Sequence, residues 1–182
     1  MLVAVIPAHN EEAGIGAAIQ GLRQQSLPPD HIVVVPDNCT DATAAVAADL
    51  DVDVWPTAGN TAKKAGALNQ VLAVMLREFE DDDLVLVQDA DSALDEAFIA
   101  TALRELASPR IGAVGGVFRG SEGGGFVGHL QRNEYARYGR DVRRLEGKCL
   151  VVTGTAAVMR VAVLREISRA RMEGALPSGD GI

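Results

Sequence analysis

The chain has 182 residues, 48% of them hydrophobic and 23% charged, which suits one domain with a sheet covered on both faces. Only 4% are aromatic, so Ala, Val, Leu and Ile must build the core. The net charge of -8 excludes the basic footprint of a nucleic-acid binder but not phosphate binding, because backbone amides, one lysine or a metal can reverse the sign inside a cleft.

The chain opens on a continuous apolar run, Leu2 to Ile6, which reads as a strand buried on both faces and closed by Pro7. The loop Pro7-Ala8-His9-Asn10-Glu11-Glu12 follows, with Asn10 a candidate N-cap and the acids suited to a helix start. Ile15, Ile19 and Leu22 recur at helical spacing. His31 to Val35 reads as the second strand. After it comes Asp37-Asn38-Cys39-Thr40-Asp41-Ala42-Thr43, where Asx and Thr residues form turns, and a strand-end carboxylate can accept the imide hydrogen of a uracil ring. A second helix is expected from Asp41, its N-cap, to about Leu50. Val52 to Trp55 makes a short third strand.

Ala65, Leu68, Leu72 and Leu76 mark a third helix, which starts on Lys63 and Lys64. Cations oppose the dipole at that end of a helix, so the pair reads either as a solvated basic turn or as a holder of a bound anion such as phosphate. Leu84 to Val87 is the fourth strand, and Asp89-Ala90-Asp91 follows at once. Alternate residues of an extended segment point the same way, so both carboxylates can face one cleft. Left alone they repel; a hard divalent cation removes that cost and favours carboxylate oxygens plus substrate phosphate. A helix from about Asp95 to Leu106 and a strand from Ile111 to Phe118 complete an alternating pattern, which predicts a mostly parallel sheet with helices on both faces. In such sheets ligands bind beyond the carboxyl ends of the strands, where these four polar segments fall.

After Phe118 the pattern changes. Gly120 to Gly128 reads as a loop, Phe126 to about Leu145 as a polar Arg-rich helix, Leu150 to Thr153 and Ala156 to Met159 as short strands around Gly154, and Val161 to Arg171 as a helix. Cys39 and Cys149 have no metal spacing and read as free thiols in a reducing compartment. No run reaches the roughly 18 apolar residues of a membrane helix. A chain without a membrane segment and a cytoplasmic location are expected. Trp55 reads as a packing residue, His31 and His129 as structural, and the run Arg137, Arg140, Arg143, Arg144 as a solvated face.

The strings IPAHNEE, PDNCTDAT, KKAGALN, VQDAD and VTGTAAVMR, in that order, resemble the motifs of family-2 glycosyltransferases of GT-A fold, over Leu2 to about Ile167. The resemblance implies a Rossmann-like α/β domain over 1–182. Residues 1–118 would be the nucleotide-sugar half and 119–182 an incomplete acceptor half. It implies transfer from a UDP-sugar to a hydroxyl of a carbohydrate or lipid-linked acceptor, with inversion and with Mg or Mn as the cation. By position, Pro7, Ala8, His9 and Glu11 would line the nucleotide pocket, and Asp37 would read the uracil. Lys64 would lie near the base and diphosphate, Asp89 on the ribose or diphosphate side, and Asp91 on the metal. Gly154 and Thr155 would floor the acceptor or donor-sugar pocket.

His9 stands where the family usually has Tyr, and Pro36 where it has the first Asp of a pair. Gln131 to Tyr135 resembles a segment of the processive polysaccharide-making members, which implies a parent anchored at the inner face of the cell membrane. The family's downstream acidic Glu-Asp base and the Gln-x-x-Arg-Trp motif of processive members are absent before Ile182, and nothing around Asp180 matches the base. The resemblance therefore implies a chain that continues beyond Ile182. Two alternatives stand beside this reading. One is a fragment that binds a nucleotide sugar without turnover. The other is a sugar nucleotidyltransferase, which would need a Gly-rich, Arg-containing loop where this chain has Ala8-His9-Asn10-Glu11-Glu12.

Overall fold

The computed structural model describes residues 1–117, 135, 137–140, 142, 144–145 and 154–174. Six strands form one sheet in the order β3-β2-β1-β4-β6-β5: β1 (Leu2–Ala8), β2 (His31–Pro36), β3 (Asp53–Val54), β4 (Leu84–Gln88), β5 (Ala113–Gly115) and β6 (Ala156–Arg160). The helices are α1 (Ile15–Arg23), α2 (Thr43–Asp49), α3 (Lys63–Glu78), α4 (Phe98–Leu106) and α5 (Val161–Met172).

The apolar runs form central strands because both of their faces are covered. Ala4, Ile6 and Ala8 of β1 pack with Ile15, Ile19 and Leu22 of α1, Ala47 of α2 and Ile99 of α4. Val3 and Val5 pack on the other face with Val71 and Met75 of α3 and Leu164 of α5. Strict alternation along the strand thus feeds two cores.

β1 pairs in parallel with β2 on one side and β4 on the other, and β2 pairs in parallel with β3. Strand order reverses direction between β1 and β4, the place where such sheets open a crevice.

Several expectations are corrected. Pro7 does not close β1; the strand runs on to Ala8, with Pro7 opposite Val35. Proline is tolerated there because the β1–β4 register stops at Val5 and Val87, so no ladder on that side needs its missing N–H. The expected strand from Ile111 is short. It does not join β4, because β6 enters antiparallel between them: Leu84 opposes Arg160, and Gly115 opposes Ala157. Gly116 N–H to Ala156 O at 2.8 Å and Arg160 N–H to Gly112 O at 3.0 Å continue that pairing past the ends of β5. Trp55 packs against the α3 side of the core, as a packing residue should.

Two arginines close the far end. Arg165 of α5 donates to Leu76 O at 3.0 Å and to Phe79 O at the end of α3. Arg160 donates to Leu106 O at the end of α4 and to Ile111 O at 3.2 Å. At Leu76, Phe79 and Leu106 they supply donors to carbonyls that a helix end leaves unpaired.

Tyr135, residues 137–140, Val142 and Arg144 are helical, inside the expected polar helix. The rest of that helix, the glycine loop, the strand expected at Leu150 to Thr153, Gln131 to Glu134, Cys149 and Asp180 lie outside the described residues. Among the described residues no helix is long and apolar enough to cross a membrane.

Candidate active site

Ala8 and Pro36 are register partners, so the segments after β1 and β2 leave the sheet side by side. They are laced together. The Asp37 amide donates to Ala8 O at 2.8 Å. His9 Nδ1 lies 2.6 Å from Asp37 O, a contact that requires the proton on Nδ1 because a carbonyl only accepts. Asn10 adopts φ 57°, a conformation its short polar side chain tolerates, and its Oδ1 accepts from the Thr40 amide at 2.8 Å. The Glu11 amide donates to Thr43 Oγ1 at 2.8 Å.

Asn10 is therefore not an N-cap. α1 starts five residues later with Gly14 at that position, because Asn10 is committed to the neighbouring loop. The acidic pair also serves a different helix: Glu12 Oε2 accepts from the Ala42 amide at 2.9 Å, at the start of α2. Asp41 sits one residue before the Ala42 N-cap, and its Oδ1 accepts from the Thr43 amide at 3.0 Å and hydroxyl at 2.5 Å. The Thr43 hydroxyl holds the Asp41 carboxyl below the usual carboxylate range. This contribution to stability is present at neutral pH and is lost as pH falls through the lowered value.

Asp37 is the hub beneath these loops. It is 6% exposed, and its Oδ1 accepts from Thr57 Oγ1 at 2.7 Å, Asn60 Nδ2 at 2.8 Å and Asn38 Nδ2 at 3.1 Å. All three bonds fall on one oxygen. Thr57 and Asn60 escaped the sequence reading; the only signal was the polar run between the third strand and third helix. Asn60 also donates to Lys63 O at 2.7 Å and accepts from the Ala62 amide at 3.0 Å, so it ties Asp37 to the start of α3.

Gly66 is what lets Asn60 lie there: a Cβ on Gly66 would stand 1.9 Å from Asn60 Oδ1. Gly66→Ala should therefore cost about 1–3 kcal/mol by displacing Asn60. Asn60→Ala together with Gly66→Ala should cost less than the sum of the two single changes, because they share one contact. Urea melts of the three variants check this, and strict additivity would reject the contact as the cause.

Lys64 joins three segments. Its Nζ pairs with Asp89 Oδ1 and donates to Gly154 O at 2.7 Å, while the Asp89 amide donates to Thr155 O at 3.0 Å. The lysine expected to favour an anion is thus held by a carboxylate at the carboxyl end of β4. Asp89 and Asp91 do not continue the strand. The chain turns, with the Ser92 amide donating to Asp89 O at 3.2 Å. Asp89 is engaged by Lys64, whereas Asp91 is exposed and its carboxylate meets Ser92 Oγ at 3.4 Å. Ala90 O lies by Gly14, where an added Cβ would come within 3.4 Å, so the turn after β4 abuts the loop after β1.

Of the expected site residues, the structure brings Lys64, Asp89, Gly154 and Thr155 into contact. His9 and Asp37 meet on the β1–β2 side, and Glu11 is held by Thr43. Pro7 and Ala8 are buried strand residues, so they can only underlie a pocket there.

Among the described residues no group of three His, Cys, Asp or Glu side chains forms a metal cage. One exposed carboxylate beside a second, cation-paired one fits a hard divalent ion that takes one or two carboxylates and completes its shell with phosphate and water. It does not fit zinc, which wants several nitrogen or sulfur ligands.

The family model described as glycosyl transferase family 2 matches residues 3–168. No curated protein matches the chain. A mannosyltransferase from Pyrobaculum calidifontis, solved with GDP-Man and Mn2+, is 22% identical at a TM-score of 0.69, over 91% of this chain and 46% of that one. Glucosyl-3-phosphoglycerate synthase from Mycobacterium tuberculosis, solved with UDP, is 22% identical at 0.62, over 90% and 58%. Mannosyl-3-phosphoglycerate synthase from Rubrobacter xylanophilus is 24% identical at 0.60, over 88% and 54%. The likeness at these identities is one of fold, and the chain spans about half the length of these structures.

Proposed function

The chain belongs to glycosyl transferase family 2, and from that premise we propose that it forms the donor site of an enzyme transferring a sugar from a nucleotide-diphosphate sugar, with inversion, to a hydroxyl acceptor. The observation that carries this is the meeting of Lys64, Asp89 and Gly154 at the crevice where the strand order reverses, with Asp91 exposed on the same turn.

Each residue then has a task. Asp37, with Oδ1 saturated, offers its other oxygen to the imide of a uracil ring. His9, protonated on Nδ1, and Glu11 line the base and ribose side, above Pro7 and Ala8. Lys64 neutralises Asp89 and lies at the diphosphate. Asp91 holds Mg or Mn. A divalent cation there would neutralise charge developing on the leaving diphosphate. Gly154 and Thr155 floor the pocket for the donor sugar or the acceptor, which is a carbohydrate or a lipid-linked one. Nucleotide binding, in which each of these residues has a part, is the property to measure first. A parent held at the membrane and a growing polysaccharide as acceptor belong to the same reading.

Solved neighbours carry GDP-Man in one case and UDP-glucose in another, so the base is the point to test first. Calorimetric titration of UDP and GDP, each with and without Mn2+, should show micromolar UDP binding that needs the metal, and weaker GDP binding. A chain that is folded by circular dichroism yet binds neither nucleotide would defeat the reading. Tighter GDP binding would replace the uracil assignment while leaving the metal assignment in place.

A further inference from the structure

Gln88 is the last residue of β4 and is 1% exposed. It has the parity of Leu84 and Leu86, so its side chain leaves the sheet on the face covered by α1, α2 and α4. Its Nε2 donates to Ser92 O at 2.7 Å, which settles the orientation of the amide, since a carbonyl only accepts. Its Oε1 is, among the described residues, the one buried side-chain nitrogen or oxygen without a hydrogen-bond partner. Gln25, buried beside α4, is the contrast. Its Nε2 donates to Asp95 O at 2.8 Å, and its Oε1 accepts from the Ile99 amide at 3.1 Å.

An unpaired buried acceptor destabilises a fold, and methionine or leucine would fill the same volume without it. What the Gln88 amide supplies in return is a single bond to the carbonyl that ends the Asp89–Ser92 turn. The two bonds inside that turn are longer: 3.2 Å from the Ser92 amide to Asp89 O and 3.4 Å from Ser92 Oγ to Asp91. Lys64 fixes Asp89, and nothing comparable among the described residues fixes Asp91.

We propose that Gln88 is a positioning residue: from inside the core it clamps Ser92 and thereby sets the turn that presents the Asp91 carboxylate to a divalent cation. The proposal rests on the reading of Asp91 as a metal ligand. Groups that orient a metal's ligands without touching the metal are part of its affinity.

Gln88→Met and Gln88→Leu test it with three measurements on the whole chain. Thermal unfolding should be unchanged or shifted upward, because an unsatisfied polar group is removed. Hydrogen exchange of the Ser92 amide, measured with no ligand present, should be at least about tenfold faster, because the turn opens more often. Half-saturation by Mn2+ in the presence of UDP should rise about tenfold.

Unchanged exchange and unchanged Mn2+ half-saturation would make Gln88 a core filler and overturn the proposal. A large fall in melting temperature in both variants would make it structural and overturn it too. If the wild-type chain bound no Mn2+ with UDP, the donor-site reading would fall, whereas the exchange rate of Ser92 would still decide whether the clamp exists.

Discussion

Asp91→Ala should remove the metal requirement for nucleotide binding by removing the binding itself: in Mn2+, affinity for UDP should fall at least about a hundredfold, beyond the range seen when only a ligand's outer partner is lost. The reason is the division of labour after β4. Asp89 is already paired with Lys64, so the cation has one free carboxylate to take. Stability should hardly move, within about 0.5 kcal/mol, because Asp91 is exposed and its one described contact is the 3.4 Å approach of Ser92 Oγ. Calorimetry and a thermal melt on the same sample check both halves. Retained Mn2+-dependent binding in this variant would move the metal to another residue. A matching loss of fold would show that the turn needs the carboxylate for its own sake.

Asp37→Ala should show the opposite pattern, a loss of both stability and binding. Asn38, Thr57 and Asn60 all donate to Oδ1 of Asp37, which is 6% exposed. Removing that acceptor strands the donors, and a cost of about 3 kcal/mol is expected for hydrogen bonds to a charged group. In a chain of this size that lowers the melting temperature by about 6–12 °C. The loss should spread to the start of α3, because Asn60 also holds Lys63 O and the Ala62 amide. Asp37→Asn keeps the shape and one acceptor oxygen, so it should cost less stability while still losing the preference for UDP. A fall of less than about 3 °C in Asp37→Ala would mean that the three donors find other partners and that Asp37 is no hub.

Sequence by itself determined the parallel half of the fold and which residue types stand at the ends of its strands. Leu2 to Ile6, Ile32 to Val35 and Leu84 to Val87 are apolar at every position, a pattern that only a strand buried on both faces requires, and the two cores divide odd from even residues of β1. Helical spacing at Ile15, Ile19 and Leu22 gave α1 its buried face for the same local reason. Polar residues between such elements had to fall at the strand ends, so Asp37, Lys64 and Asp89 were legible as residue types before any contact was known, whereas Gly154 stood out only through the family resemblance.

Tertiary structure alone decided the partners. A strand as short as Ala156–Arg160 carries no signal of its direction, and its antiparallel place between β4 and β5 rests on neighbours more than forty residues away in the chain. Asn10 has the chemistry of an N-cap, yet it bonds Thr40 across the loop. Glu12 lies three residues before α1 in the chain but supports α2. Gln88 lies just past the strand expected at Leu84 to Val87, and only its burial shows that its amide faces the core. In each case the residue's own propensity allows more than one bond, and the bond that forms is the one with the group that packing brings within reach.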